Sequence, residues 1–173
     1  RSTLFPYTTL FRSRSKVLTY NGAAQKLVTA GVLADDAAEG TQLVYAVVNH
    51  GAAAPENAAY AEAIPTRKDV LDGGYDVYYK TKVGSAYSEA KTINVTIAKA
   101  DLMIKAKDKT TYYTGAAQGL DVEYGDFQAD EDESIFGDPN SADEDEIAKF
   151  PKGTATKTAA GTYSLKPTAG TVN

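Results

Sequence analysis

A run of acidic side chains between residues 130 and 146 is the part of the sequence that could hold a metal ion. Carboxylate oxygens are the hard ligands that Ca²⁺ prefers. The candidate ligands are Asp130, Asp132, Asp138, Asp143 and Asp145. A helix-loop-helix calcium site needs Gly at its sixth position and Glu at its twelfth, but counting from Asp130 these are Ile135 and Ser141. We therefore expect a solvated acidic loop that protects a sheet edge, with weak calcium binding as the alternative and no other cofactor.

The chain has one histidine, His50, and no cysteine, which restricts the catalysis it could support. His50 follows a β-like segment and stands between Asn49 and Gly51, where a loop residue is expected. To act as a base it would need a nucleophile and an orienting group within hydrogen-bond reach. The sequence contains neither a G-x-S-x-G elbow nor an H-E-x-x-H pair, although any two carboxylates could still meet in the fold as they do in glycosidases. We predict a protein that is not an enzyme.

Tyrosine side chains provide the alternative function. Sugar-binding modules stack pyranose rings on exposed aromatic planes, which combine an apolar face with a polar tip. Tyr78, Tyr112 and Tyr113 include candidates that face outward, but the chain has no Trp. A carbohydrate-binding module is therefore the second hypothesis, and packing in the core or an ordinary surface position is the simpler interpretation of each ring.

Short strands separated by turns must position these residues. In residues 92–97, Ile93, Val95 and Ile97 alternate with polar residues, which is the period of a half-buried strand. The same alternation occurs in residues 42–48, 75–81, 101–107 and 161–166. Turn signals such as Asn21-Gly22 and Asp72-Gly73-Gly74 separate these segments, and no long amphipathic helix alternates with them. The pattern predicts an all-β fold built from antiparallel sandwiches, with the strand after Asp72 at the centre of its sheet.

The sequence also repeats itself. YNGAAQKLV at residues 20–28 recurs as YTGAAQGLD at residues 113–121, and GGYDVYYK at residues 73–80 is echoed by AGTYSLKP at residues 160–167. Self-similarity at a fixed spacing indicates an array of one structural unit. We expect one unit at residues 16–99 and a second at residues 100–173, the second lacking the strand equivalent to residues 92–97.

These repeats resemble a known kind of surface protein. LTYNGAAQKLVTAG, AIPTRKDVLDGGYDVYYKTKVG and VTIAKADLMIKAKDK are similar to the tandem bacterial immunoglobulin-like and MBG-type modules of long bacterial surface proteins. The resemblance implies two tandem antiparallel β-sandwich (immunoglobulin-like) modules, the second an incomplete MBG-type module for which a β-grasp-like fold is the alternative. It also implies a non-catalytic structural or adhesive segment of a secreted protein attached to the cell surface. The implied partners are neighbouring repeats of the same chain, and host or cell-wall glycans or proteins.

Composition and the first residues limit the remaining classes. A net charge of -5 opposes binding to nucleic acid, and no apolar run is long enough to insert in a membrane. Residues 100–173 carry fourteen acidic and seven basic residues, whereas residues 14–99 carry nine of each. RSTLFPYTTLFRS at residues 1–13 resembles the translation of a sequencing-library adapter, so we treat residues 1–15 as adapter-derived or disordered and exclude them from the fold prediction.

Overall fold

The computed structural model describes residues 17–112, 114, 116, 118–119, 121–137, 141, 143 and 154–155. The adapter-like segment at residues 1–15 therefore lies outside the described residues. The chain divides into two compact units between Ala100 and Asp101, one residue after the boundary expected from the repeats. Strands predominate in the described residues and helix is confined to two short 3₁₀ turns, so the prediction of an all-β protein is confirmed.

Most strands of the described residues are short, and the two longest belong to the first unit. Those of the first unit are β1 (Leu18–Thr19), β2 (Gln25–Lys26), β3 (Gln42–Asn49), β4 (Thr66–Arg67), β5 (Tyr75–Val83), β6 (Ala86–Tyr87), β7 (Lys91–Val95) and β8 (Ile97–Ala98). Those of the second unit are β9 (Met103–Ala106), β10 (Gln118–Gly119), β11 (Val122–Gly125) and β12 (Thr154–Ala155). The two 3₁₀ turns are Asn57–Ala59 and Glu133–Phe136.

An antiparallel sheet forms the centre of the first unit. Strand β5 lies between β3 on one side and β6 and β7 on the other, so the segment after Asp72 is central as predicted. Tyr45 lies opposite Tyr79 across one ladder, and Val77 lies opposite Ile93 across the other. The loop between β5 and β6 has two residues, and Gly84 adopts the positive φ that a tight hairpin turn requires.

Strands β6 and β7 together form one edge of this sheet, and a β-bulge separates them. Lys82 pairs with Tyr87 and Tyr79 pairs with Lys91, so three residues at 88–90 face two residues of β5. The amide of Thr81 donates to the side-chain oxygen of Ser88, at 3.0 Å, in place of a main-chain carbonyl. The Ser88 amide donates to the Thr81 carbonyl, also at 3.0 Å, so the bulge leaves neither Thr81 group unpaired.

One face of this sheet carries the core. Alternation places Tyr45, Tyr75, Val77, Tyr79 and Val95 on that face because successive side chains of a strand point to opposite sides. The rest of the core comes from residues on or beside the small strands, namely Leu18, Leu27, Val28 and Ile97. Apolar burial of this kind is the main favourable term in folding, and Val77 at its centre is fully buried.

Three features differ from the strand pattern in the sequence. Strand β5 is not half-buried: on its second face Asp76 and Lys80 are buried too, because neighbouring loops cover them. Residues 92–97 do not form one strand: β7 ends at Val95 and β8 begins at Ile97. Strand β8 pairs with β1 and not with β5, and this pairing is parallel, so the expectation of wholly antiparallel sheets is wrong at this point.

The two repeat blocks fold in the same way locally. In the first, the Ala23 amide donates to Asn21 Oδ1 at 3.1 Å, and in the second, the Ala116 amide donates to Thr114 Oγ1 at 3.3 Å. These side-chain turns occupy equivalent positions in residues 20–28 and 113–121.

The strands that follow the two turns also pair alike. Gln25 pairs with Arg67 and Gln118 pairs with Ala155, and both ladders are antiparallel. Strands β4 and β12 precede the tyrosines of the second repeat block, Tyr75 and Tyr163, by the same number of residues. The repeat in the sequence therefore corresponds to a repeated ladder with one register.

The second unit has a small core of its own among its described residues. Strands β9 and β11 pair antiparallel, with Ile104 opposite Tyr124. The Tyr124 ring packs against Phe127 and Phe136, with centroids 5.9 and 5.4 Å away. Phe136, at the end of the 3₁₀ turn, is fully buried. The strand predicted at residues 161–166 lies outside the described residues.

Candidate functional site

The acidic run does not gather into a metal site in the part of the chain that the structure describes. Asp130 and Asp143 are exposed, and Asp138 and Asp145 lie outside the described residues. Asp132 caps the second 3₁₀ turn, where its Oδ1 accepts from the Ser134 amide at 2.9 Å. Bonding with Ser134 holds the pKa of Asp132 below its ordinary value. No three acidic or histidine side chains of the described residues lie close enough to hold an ion.

A polar cluster instead forms at one end of the central sheet of the first unit. His50 follows β3, Asp76 is the second residue of β5, and Asn94 lies in β7. The register brings them together because Asp76 lies opposite Asn94 in one ladder and next to the end of β3 in the other. His50 therefore follows a strand, as predicted, and the structure gives it partners that the sequence had not revealed.

Asp76 is the central acceptor of this cluster. Its oxygens lie 3.0 and 3.1 Å from His50 Nδ1 and 2.9 Å from Asn94 Nδ2, and the Gly51 amide donates to it at 3.2 Å. An ionised carboxylate has acceptor groups only, so His50 Nδ1 carries the proton that bonds Asp76. Asn94 Nδ2 lies 3.1 Å from the Gly73 carbonyl, which connects the cluster to the turn before β5.

The electrostatics of the cluster favour the ionised carboxylate. Hydrogen bonds from Asn94 first, and then from His50, lower the pKa of Asp76 from its ordinary value, against the opposing effect of burial. The carboxylate is thus charged over the whole neutral range. In the described residues the His50 ring bonds Asp76 and contacts Asn94, and neither supplies a hydroxyl or thiol nucleophile. These hydrogen bonds connect the ends of three strands, and we call the cluster of His50, Asp76 and Asn94 the clasp.

A second polar group is buried on the opposite face of β5 from the core. Lys80 is only 6% exposed. Its ammonium lies 3.5 Å from the Tyr60 ring centroid and 4.7 Å from that of Tyr87, and it donates to Asn57 Oδ1. Burial lowers the pKa of Lys80, while the negative faces of two aromatic rings favour its charged form. Lys80 thereby fastens the loop that contains Asn57 and Tyr60 to the sheet.

The tyrosines offer little exposed ring surface in the described residues. Tyr112 is 91% exposed, and every other described tyrosine is buried or half-buried. Tyr78 is half-buried on the same face as Lys80, and Tyr113 lies outside the described residues. The Tyr60 and Tyr87 rings are already engaged by Lys80. A flat platform of several exposed rings is not present in the described part of the chain.

Comparisons with protein-family models, with curated proteins and with solved structures found no match. Within the residues that the structure describes, no helix combines the length and the apolar character needed to cross a membrane.

Sequence reasoning missed Asp76, Asn94 and Lys80. All three are polar residues on a strand whose alternation assigned them to a solvated face. One signal was present: a histidine that follows one strand and a carboxylate that begins another lie close together if the two strands pair antiparallel. Their pairing could not be deduced, because they lie 26 positions apart in the sequence and the segment between them includes a long loop.

Proposed function

We propose that the chain is a non-catalytic structural segment of a secreted bacterial surface protein, in which tandem β units transmit tension along a stalk or an adhesin. Each unit is proposed to be an antiparallel β-sandwich of immunoglobulin-like type, with a β-grasp-like fold as the alternative for the second. Neighbouring repeats of the same chain are its proposed partners, and it requires no cofactor. The shared ladder register of the two repeat blocks supports a tandem array.

The observation that carries the proposal is the parallel pairing of the first and last strands of the first unit. Leu18 pairs with Ile97, Thr19 pairs with Ala98, and the Tyr20 amide donates to the Ala98 carbonyl at 2.8 Å. Tension enters the unit at β1 and leaves it after β8. Because the two strands run in the same direction, pulling their outer ends apart shears several hydrogen bonds at once and does not peel them one by one. The side chains of Leu18 and Ile97 add buried apolar contact to this joint.

Single-molecule stretching of the whole chain tests the mechanical role. The first unit should unfold in one step that releases about 30 nm of chain, given about 3.6 Å for each of its residues. Tyr20→Pro removes the amide that bonds Ala98 and should lower the unfolding force of that step. Tyr20→Ala is the matched control, because it removes the ring that packs against the core and keeps the amide, and it should lower the force less. Equal forces for wild type and Tyr20→Pro would count against a tension-bearing role.

Binding to insoluble glycans separates this proposal from the carbohydrate-binding alternative. A structural segment should stay in the supernatant when mixed with peptidoglycan, chitin or cellulose. Retention that is abolished by Tyr112→Ala, and not by Tyr78→Ala, would favour the alternative, because Tyr112 is the exposed ring in the described residues.

A further inference from the structure

A cavity of about 390 Å³ opens beside the β-bulge of the first unit. Its apolar part comes from half-buried Leu43, which packs against the core, and from Tyr79, which belongs to the core. Ligand sites have volumes of roughly 300 to 1,000 Å³ and combine an apolar wall with a few polar groups. The cavity lies at the small end of this range, which suits a ligand of one or two amino-acid residues.

The bulge brings two side chains of opposite charge to the rim of this cavity. Glu89 lies within the bulge and Lys91 is the first residue of β7, and both line the cavity and are exposed. Residues 89 and 91 would share a face in a regular strand, and the β-bulge turns that face toward the opening of the cavity. Neither side chain takes part in an ion pair or a side-chain hydrogen bond in the described residues.

Two further polar side chains of the cavity wall, those of Lys80 and Ser88, already have partners. The Lys80 ammonium is held by Asn57 and two tyrosine rings, so it adds no free charge to the cavity. The Ser88 hydroxyl accepts from the Thr81 amide and donates to the Glu89 carbonyl. Among the described residues that line the cavity, the free charges are therefore one carboxylate and one ammonium.

We propose that this cavity binds a small zwitterion with an apolar body, such as a free amino acid or the two ends of a dipeptide. The ligand ammonium would lie at Glu89, its carboxylate at Lys91, and its apolar side chain against Leu43 and Tyr79. A neutral sugar fits this rim less well, because it would leave both charges without a counterion. The inference does not rest on the tension-bearing role, since ligand binding leaves the β1–β8 pairing untouched.

Titration of the whole chain with leucyl-alanine, followed by amide NMR shifts, tests the proposal. Shifts should cluster at residues 43, 79–81 and 88–91 and give a dissociation constant on the order of millimolar, a strength expected of a small ligand held by exposed charges. N-acetyl-leucyl-alanine and leucyl-alanine amide each lack one charge and should bind about two- to fivefold more weakly. Glucose should give no shifts at these residues.

Charge reversals at the rim make the test specific. Glu89→Lys should weaken the binding of leucyl-alanine and strengthen the binding of N-acetyl-leucyl-alanine. Lys91→Glu should instead strengthen the binding of leucyl-alanine amide. Glu39→Lys and Lys68→Glu change exposed charges outside the cavity lining and should leave the order of the three peptides unchanged. Circular dichroism spectra identical to wild type confirm that each variant is folded. The proposal is overturned if leucyl-alanine gives no localised shifts at millimolar concentration, or if all three peptides bind equally.

Discussion

Replacing Asp76 with alanine should destabilise the first unit by about 2 to 3 kcal/mol at pH 7. A hydrogen bond to a charged group contributes about 1.5 to 3 kcal/mol. The energies of the separate hydrogen bonds to Asp76 do not simply add. The His50 side chain is 54% exposed, so water can replace its bond, as it can for the exposed Gly51 amide. In the Asp76→Ala variant, Asn94 keeps its hydrogen bond to the Gly73 carbonyl. Asn94 is exposed as well, so the loss should be close to that of one hydrogen bond to the charged, buried Asp76 carboxylate, with smaller contributions from the others.

The pH dependence of this loss follows from the lowered pKa of Asp76 in the folded protein. The unfolded chain binds a proton on this carboxyl more readily than the folded one, so the stabilisation is complete above the unfolded pKa of about 3.9. It is lost as the pH falls through the lower folded pKa. The difference between wild type and Asp76→Ala should be constant from about pH 5 to 7 and should shrink below about pH 4.

Urea unfolding measured at the amide signals of Val77 and Val95 reports the first unit alone. We expect the midpoint to fall with an unchanged slope, which marks a change in stability and not in the extent of unfolding. Asp72→Asn is the control, because Asp72 is an exposed carboxylate in the turn just before β5. A loss below about 0.5 kcal/mol for Asp76→Ala at pH 7, or an equal loss at pH 3, would refute the clasp.

Two further substitutions test the turn before β5 and the core of the second unit. Gly74 has a φ of 78°, and a Cβ there would lie 2.5 Å from the Val95 carbonyl oxygen, so Gly74→Ala should cost about 2 to 4 kcal/mol by urea unfolding. Gly40→Ala, with a φ of 77° and open space around it, should cost only about 1 kcal/mol, and equal costs would argue against the close approach. Phe136→Ala should remove about 3 to 5 kcal/mol from the second unit, against less than 1 kcal/mol for the exposed Tyr112→Ala, as measured by hydrogen exchange of β11. Unchanged exchange in Phe136→Ala would show that this ring is not part of the core.

The site could be predicted from the sequence only in part. The loop position of His50 was predictable because a β-like segment ends just before it. Its bond to Asp76 was not, because alternation assigns a residue to a face of its strand and gives no information about what covers that face. The same limit applies to Lys80, which belongs to the nominally solvated side of β5 and is buried by a loop that crosses it. The acidic run was visible as a composition, but whether its carboxylates converge depends on the fold.

What the sequence by itself determined is local. The period of two in residues 75–81 specified a strand, and the Asn21-Gly22 pair and its counterpart at Thr114 specified side-chain turns. Each depends on neighbouring residues, whose backbone preferences act whatever the rest of the chain does. Only the tertiary structure decided that β8 leaves β5 to pair in parallel with β1. Strands so far apart in sequence pair in the direction that buries Leu18 and Ile97 in the same core, and that choice follows from packing across the whole unit.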